Sequence, residues 1–187
     1  MRLTLHYRGT LRSNGGTEHK HVLRQMFHSQ LKTLWNQKPL NEQSKLLQPR
    51  NPDRSGDYSL LRSLGAFTFV PLINEEMNVV AELSVVLLRP EPPGGLITQG
   101  GDIDNRLKTL FDALTMPRHQ NSLPPGTAPE PDQTPFFCLL EDDNLVISVS
   151  VRTEQLLEPI ADPSIVDASI YIRTRVTRRT MGNYPFG

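Results

Sequence analysis

The sequence predicts an α+β fold: a mixed sheet of about five strands with two main helices, in the order β–α–β–β–α–β–β. Three observations lead there. Segments of alternating apolar and polar side chains occur at 2–8, 144–153 and 168–178. Segments with apolar residues every three or four positions occur at 18–36 and 103–116. The two kinds interleave, with two neighbouring apolar runs suggesting a hairpin, and such mixing favours a layered α+β arrangement over a doubly wound one.

The elements follow in order. Residues 2–8, Arg-Leu-Thr-Leu-His-Tyr-Arg, read as a half-buried strand, and Asn14-Gly15-Gly16 as a turn. Over 18–36, Val22, Leu23, Met26, Phe27, Leu31, Leu34 and Trp35 recur at helical spacing. Trp35 and Phe27 are read as core residues. Residues 37–58 are polar and read as an arm, with a short helical piece near Lys45-Leu46-Leu47. Residues 66–73 form a strand that Pro71, lacking an amide donor, pushes toward a sheet edge. Residues 78–89 are rich in β-branched side chains and form a stronger strand, joined to the first by a hairpin turn at Asn74-Glu75-Glu76-Met77.

Residues 90–101 break all periodicity. The helix from 103 to 116 buries Leu107, Leu110, Phe111 and Leu114, and Pro117 stops it. Residues 117–135 hold several prolines and no apolar period, so they read as a loose insertion. The apolar run 136–140 leads into Glu141-Asp142-Asp143, and strands at 144–153 and 168–178 complete the chain.

A chain of 187 residues is read as one domain over 1–187, decorated by the arm at 37–58 and the insertion at 117–135. The single cysteine, Cys138, excludes an intramolecular disulfide and any Cys-rich zinc site. No apolar run approaches the roughly 20 residues of a membrane span, and the first residues read as a strand, not a signal peptide, so no membrane association and a cytoplasmic location are expected. None of the five histidines has metal-ligand spacing, and they are assigned surface or packing roles.

Net charge is zero but unevenly distributed. Residues 1–63 hold 11 Lys/Arg against 4 Asp/Glu, 64–163 hold 5 against 15, and 164–187 hold 4 against 1. An acidic centre between basic ends suits an enzyme that grips phosphates and holds a metal. The acidic residues concentrate in two clusters: Asp102 and Asp104, followed by Lys108 and Asp112 on one helix flank, and then Glu141-Asp142-Asp143. Two like charges at contact distance cost roughly 1 kcal/mol in water and about 4 at intermediate dielectric. Carboxylates without cysteines suit a hard cation such as Mg²⁺. Each cluster also has an ordinary reading: Asp102 or Asp104 as a helix cap, Asp142-Asp143-Asn144 as a turn, and Lys108 as an ion-pair partner of Asp104 or Asp112.

The pattern Asp102-Ile-Asp104-Asn105-Arg-Leu-Lys108-Thr-Leu-Phe-Asp112-Ala113-Leu114, followed after a spacer by Asp142-Asp143-Asn-Leu-Val, resembles the RusA-type Holliday-junction resolvases. The likeness is specific over about 102–155 and topological elsewhere. It implies a homodimeric, Mg²⁺-dependent endodeoxyribonuclease, with Mn²⁺ able to substitute, that cleaves branched DNA. By that resemblance Asp102, Asp104 and Asp143 hold the metal with Asp142 nearby. Lys108 stands close to the scissile phosphate, and Asn105 and Asp112 support the site. The alternatives are a non-catalytic nucleic-acid-binding protein on the same fold and a more general metal-dependent nuclease.

Relatives of this type carry a basic run before the first Asp, where this chain has the uncharged Thr98-Gln99-Gly100-Gly101. Phosphate contacts are therefore expected from Lys20, Arg24 and Lys32 on the first helix, Arg50 and Arg54 on the arm, and Arg173, Arg175, Arg178 and Arg179 at the last strand. The subunit interface is expected on 66–73, 78–89 or helix 18–36.

Overall fold

A computed structural model describes residues 1–51, 58–90, 103–158 and 167–178. The class is α+β, as expected, but the strands divide into two mixed sheets. Strands β1 (Arg2–Thr10), β4 (Val79–Arg89), β6 (Val146–Gln155) and β7 (Asp167–Arg178) form one, in the order β1-β7-β4-β6. Strands β2 (Arg62–Leu64), β3 (Phe67–Ile73) and β5 (Phe136–Leu140) form the other, in the order β2-β3-β5. In the first sheet β7 runs antiparallel to both β1 and β4, while β6 lies parallel to β4. In the second, β3 pairs antiparallel with β2 and parallel with β5.

Two expectations change here. The sequence suggests a β3–β4 hairpin, and the turn chemistry is present: Asn74 accepts the Met77 amide on its side chain, the Val79 amide bonds the Asn74 carbonyl at 3.3 Å, and Asn78 takes φ 51°. Beyond that turn the strands part into different sheets: β3 pairs with β2 and β5, and β4 with β6 and β7. Pro71 sits in the middle strand of its sheet, not an edge strand. It is tolerated because β2 pairs only with Phe67–Phe69, so at Pro71 the strand has β5 alone as a neighbour.

Helix α1 (Thr17–Trp35) packs on β5, on α2 (Ile103–Leu114) and on β1. Its buried stripe is His21, Leu23, Arg24, Phe27, His28, Leu31 and Trp35, whereas Val22 and Met26 face outward. Leu23, Phe27 and Leu31 are fully buried, each contributing about 1.5–3 kcal/mol of apolar transfer. The His28 ring accepts the Phe137 amide on Nδ1 at 2.8 Å and donates from Nε2 to the Asp132 carbonyl at 3.3 Å. This neutral ring ties α1 to β5 and to the insertion, and burial, the first of several influences, lowers its pKa. Gln30 closes the free edge of β1 by exchanging two hydrogen bonds with the His6 backbone, at 2.9 and 2.7 Å.

The insertion at 117–135 is not loose. Two short 3-10 turns, Gln120–Ser122 and Pro131–Gln133, order it, the second with a reciprocal capping box between Glu130 and Gln133. Leu123 enters a small apolar cluster with Phe67, Phe69, Phe136 and Cys138. Cys138 is a buried core residue, and burial pushes its thiol up to about 12. The arm contains a 3-10 helix at Leu40–Leu47 whose Leu40, Leu46 and Leu47 pack against the main core.

Helix α2 is pinned at both ends. The Gly15 amide donates to Thr109 Oγ1 at 3.0 Å, and Arg106 donates to the Leu11 carbonyl. A Cβ at Gly15 would meet Thr109 Cγ2 at 2.8 Å and His19 Cδ2 at 2.7 Å, so this close approach requires glycine. At the other end the Met116 amide bonds the Leu140 carbonyl at 2.9 Å, fixing the helix exit beside the end of β5.

Candidate functional site

The two acidic clusters sit at different ends of α2. Asp104 and Lys108 are exposed in its first half, and Asp104 Oδ1 accepts its neighbour's amide, that of Asn105, at 2.6 Å. Asp102 lies outside the described residues. Asp142 and Asp143 follow Leu140, which is bonded beyond the last turn of the same helix. The eleven steps from Asp104 to Thr115 correspond to about 16 Å along the helix axis. Among the described residues no three His, Cys, Asp or Glu side chains come together with the spacing of a metal site.

Asp112, given only a supporting role by the sequence, joins the second cluster instead. It lines a cleft of about 450 Å³ together with Asp143, Lys20, Arg118, Asn121 and Ser122. Lys20 pairs with Asp112 at 2.6 Å, so this aspartate's ion-pair partner comes from α1 and not from Lys108 on its own helix. Across the cleft Arg118 Nη2 bridges both carboxylates of the acidic turn, contacting Asp142 Oδ2 and lying 3.1 Å from Asp143 Oδ1. Arg118 comes from the Pro-rich insertion. Nothing in the sequence links it to residues some two dozen positions downstream.

The acidic turn is built locally. Asp142 caps a 3-10 turn, Asp143–Leu145, by accepting the Asn144 amide at 3.0 Å. Burial opposes the charge on Asp142, but the Asn144 amide, Asp143 and the Arg118 guanidinium outweigh it and hold the carboxyl below the usual carboxylate range. Glu141 turns the other way. Its Oε1 accepts from Arg62 Nε at 2.6 Å and its Oε2 from the Glu75 amide at 2.9 Å, fastening the turn after β3.

The expected phosphate-binding cations separate into groups. Arg24 is a correction: it is 3% exposed, with Nη2 donating to the Asp112 carbonyl at 2.9 Å and Nε to the Thr115 carbonyl at 3.4 Å. It satisfies carbonyls at the C-terminal end of α2, where a cation also complements the helix dipole. Lys32 donates to the Asp132 carbonyl at 2.6 Å on the surface. Arg50 is exposed, as are Arg173, Arg175 and Arg178 on β7. Arg54 and Arg179 lie outside the described residues.

For the expected subunit interface, β3 is spent inside the chain, all but Thr68 being buried, while Val22 and Met26 leave an apolar strip on α1. No helix among the described residues is long and apolar enough to cross a membrane.

No family model matches the chain, and neither does any curated protein or solved structure. What defines the class of the protein is thus the α+β fold together with the cleft where α1, the end of α2, the insertion and the acidic turn converge.

Proposed function

We propose that the chain is a Mg²⁺-dependent endodeoxyribonuclease acting on branched DNA, with Mn²⁺ as a substitute, working as a homodimer. The observation that carries this reading is the Asp142–Asp143 pair, bridged by one guanidinium at the mouth of a cleft that also presents Lys20, Asn121 and Ser122. A carboxylate pair that needs a cation fits a hard divalent ion, and Arg118 stands in for one. Ammonium, amide and hydroxyl donors beside it fit phosphodiester oxygens.

Asp143 and Asp142 would hold the ion, with Asp112 facing them across the cleft. Asp102, Asp104, Asn105 and Lys108 belong to the proposal through the motif they form. A bound ion would supply polarisation of the phosphate and a water acidified toward neutrality. The chain's own groups do the rest: Asp142 is oriented by its cap, Lys20 holds Asp112, and Arg118, once released from the carboxylates, offsets charge developing on the phosphate.

A nicking assay on a four-way junction with Mn²⁺, with and without chelator, tests this. Asp143→Asn is expected to lose cleavage at least a hundredfold, a span comparable to removing a principal charge-stabilising group, while junction binding persists. Asp112→Asn and Asp104→Asn then decide which end of α2 serves the metal. Chelator-resistant cleavage, or full activity in Asp143→Asn, overturns the assignment. A non-catalytic nucleic-acid-binding protein is the second reading. The separation of Asp104 from the acidic turn favours it, and binding without metal-dependent nicking would establish it. Nicking of plain duplex in preference to the junction would leave a general metal-dependent nuclease.

A further inference from the structure

The four-stranded sheet has a second face, away from the helices, and its chemistry is unlike that of the cleft. On β1 and β7 the outward residues pair directly: Arg2 with Arg175, Thr4 with Arg173, and His6 with Tyr171. All six are exposed. Like charges directly opposite on neighbouring strands destabilise a sheet, yet Arg2 and Arg175 stand opposite each other and Arg173 is two residues along, about 6.8 Å away on the same strand. Glu82 is the carboxylate in this patch, 3.4 Å from Arg175 Nη1. From Ile170 to Arg178, β7 carries no acidic residue. The surface dips between these strands and β6 into a shallow trough of about 650 Å³, where Ser150 Oγ donates to Ser84 Oγ at 3.0 Å. One step along the sheet, the His6 and Tyr171 rings pack with centroids 4.7 Å apart.

We propose that this face binds a single nucleic-acid strand, separately from the acidic cleft and whether or not the chain is a nuclease. Guanidinium groups in rows take backbone phosphates, whose charge offsets the repulsion between Arg2 and Arg175. Serine and threonine hydroxyls add neutral donors beside them. The His6–Tyr171 pair supplies an aromatic surface at the end of the basic rows, and an open sheet that carries cations beside a ring pair suits unpaired bases, which can stack, better than a closed duplex. A four-way junction being opened, or a flap next to a nick, offers such a strand.

The test is anisotropy of a labelled oligothymidylate in chelator, so that cleavage plays no part. Arg173→Gln/Arg175→Gln is expected to bind about tenfold more weakly, with the slope of log affinity against log salt reduced by about 1.4, from two lost contacts at about 0.7 each. Tyr171→Leu is expected to lose about tenfold with an unchanged salt slope. Lys38→Ala/Lys45→Ala, which removes as much charge from the 3-10 helix at Leu40–Leu47 and the residues before it, serves as the control and should bind like the parent.

Parental binding by both sheet variants, or equal weakening in the control, overturns the proposal. So does equal affinity for duplex and single strand with no Tyr171 effect, which would make the face a duplex-backbone contact. If the variants convert a dimer to a monomer in sedimentation without changing oligonucleotide affinity, the face is a subunit interface and the proposal fails. A chain that binds the oligonucleotide through this face yet nicks nothing removes the nuclease reading and leaves this one standing. Circular dichroism melts of each variant establish folding, and Arg173→Lys/Arg175→Lys, which preserves charge and strand propensity, should restore the salt slope.

Discussion

Arg118→Ala is the sharpest perturbation of the cleft, because it removes the cation that bridges the acidic turn. In the structure one guanidinium nitrogen serves two carboxylates, 3.1 Å from Asp143 and in closer contact with Asp142. Arg118 is 57% and Asp143 68% exposed, whereas Asp142 is 23% exposed. Exposed ion pairs contribute about 0.2–1 kcal/mol each. The better buried Asp142 contact belongs at the upper end of that range and the Asp143 contact near the lower. Together they amount to about 1–1.5 kcal/mol that an incoming cation must displace. Removing them should tighten divalent binding by about fivefold to tenfold, since 1.4 kcal/mol is a factor of ten.

The measurement is a Mn²⁺ titration at low ionic strength, followed by the loss of the free-ion paramagnetic signal. The gain should shrink at 0.5 M salt, because most of the pair is solvent-screened. Asp143→Asn in the Arg118→Ala background should abolish it. If Arg118→Ala binds Mn²⁺ no more tightly than the parent, the guanidinium is not standing in for a metal. Arg118 would then be an ordinary surface clamp between the insertion and the acidic turn. Tighter metal binding should be accompanied by slower nicking, because the released guanidinium also offsets charge on the phosphate.

Two further outcomes follow from the buried polar groups of α1. Arg24→Leu should destabilise the fold by about 2–4 kcal/mol in urea, because it strips the Asp112 and Thr115 carbonyls of a charged donor; a loss below about 0.5 kcal/mol would mean that water replaces the guanidinium freely. His21 packs against Phe67 and Phe136 with neither ring nitrogen hydrogen-bonded among the described residues, and burial first, then Arg24, lowers its pKa to about 4. The unfolded chain's imidazole takes a proton below about pH 6.5 that the folded one refuses until about pH 4, so stability falls as pH drops through that window, by at most about 3 kcal/mol, and levels off below it. His21→Phe should remove that component from the pH profile measured by thermal or urea unfolding, and an identical slope in both proteins would show that His21 does not carry it.

Periodicity made both helices and the strands with alternating side chains legible in the sequence, and it failed where burial is two-sided. Phe136-Phe-Cys-Leu-Leu140 has no alternation because every side chain in β5 is buried, and a short apolar run of that kind does not distinguish strand from helix. The missed β2 is only three residues long. Turn chemistry at Asn74 and Asn78 was readable too, but a turn cannot say whether the strands leaving it stay paired; that depended on β5 and β7, far along the chain.

The sites divide in the same way. Charge alone places Arg24 among the phosphate contacts, although His21, Arg24, His28, Leu31 and Trp35 recur at steps of three, four, three and four, a core stripe with polar members. That spacing was the available sign that Arg24 turns inward and bonds carbonyls instead of phosphates. For Arg118 no comparable sign existed. It stands just past α2 in a Pro-rich stretch, and the hydrogen bond between Met116 and Leu140 brings the start of that stretch beside the end of β5 and the acidic turn. The same bond sets which end of α2 faces the acidic turn. A motif records that Asp104, Lys108 and Asp143 occur in order, but only the closure of the insertion determines that Asp112, and not Asp104, shares a cleft with Asp143. The comparison of Asp104→Asn with Asp112→Asn therefore tests the motif against the closure. Equal loss of nicking in both would require the cleft and the start of α2 to act on one substrate together.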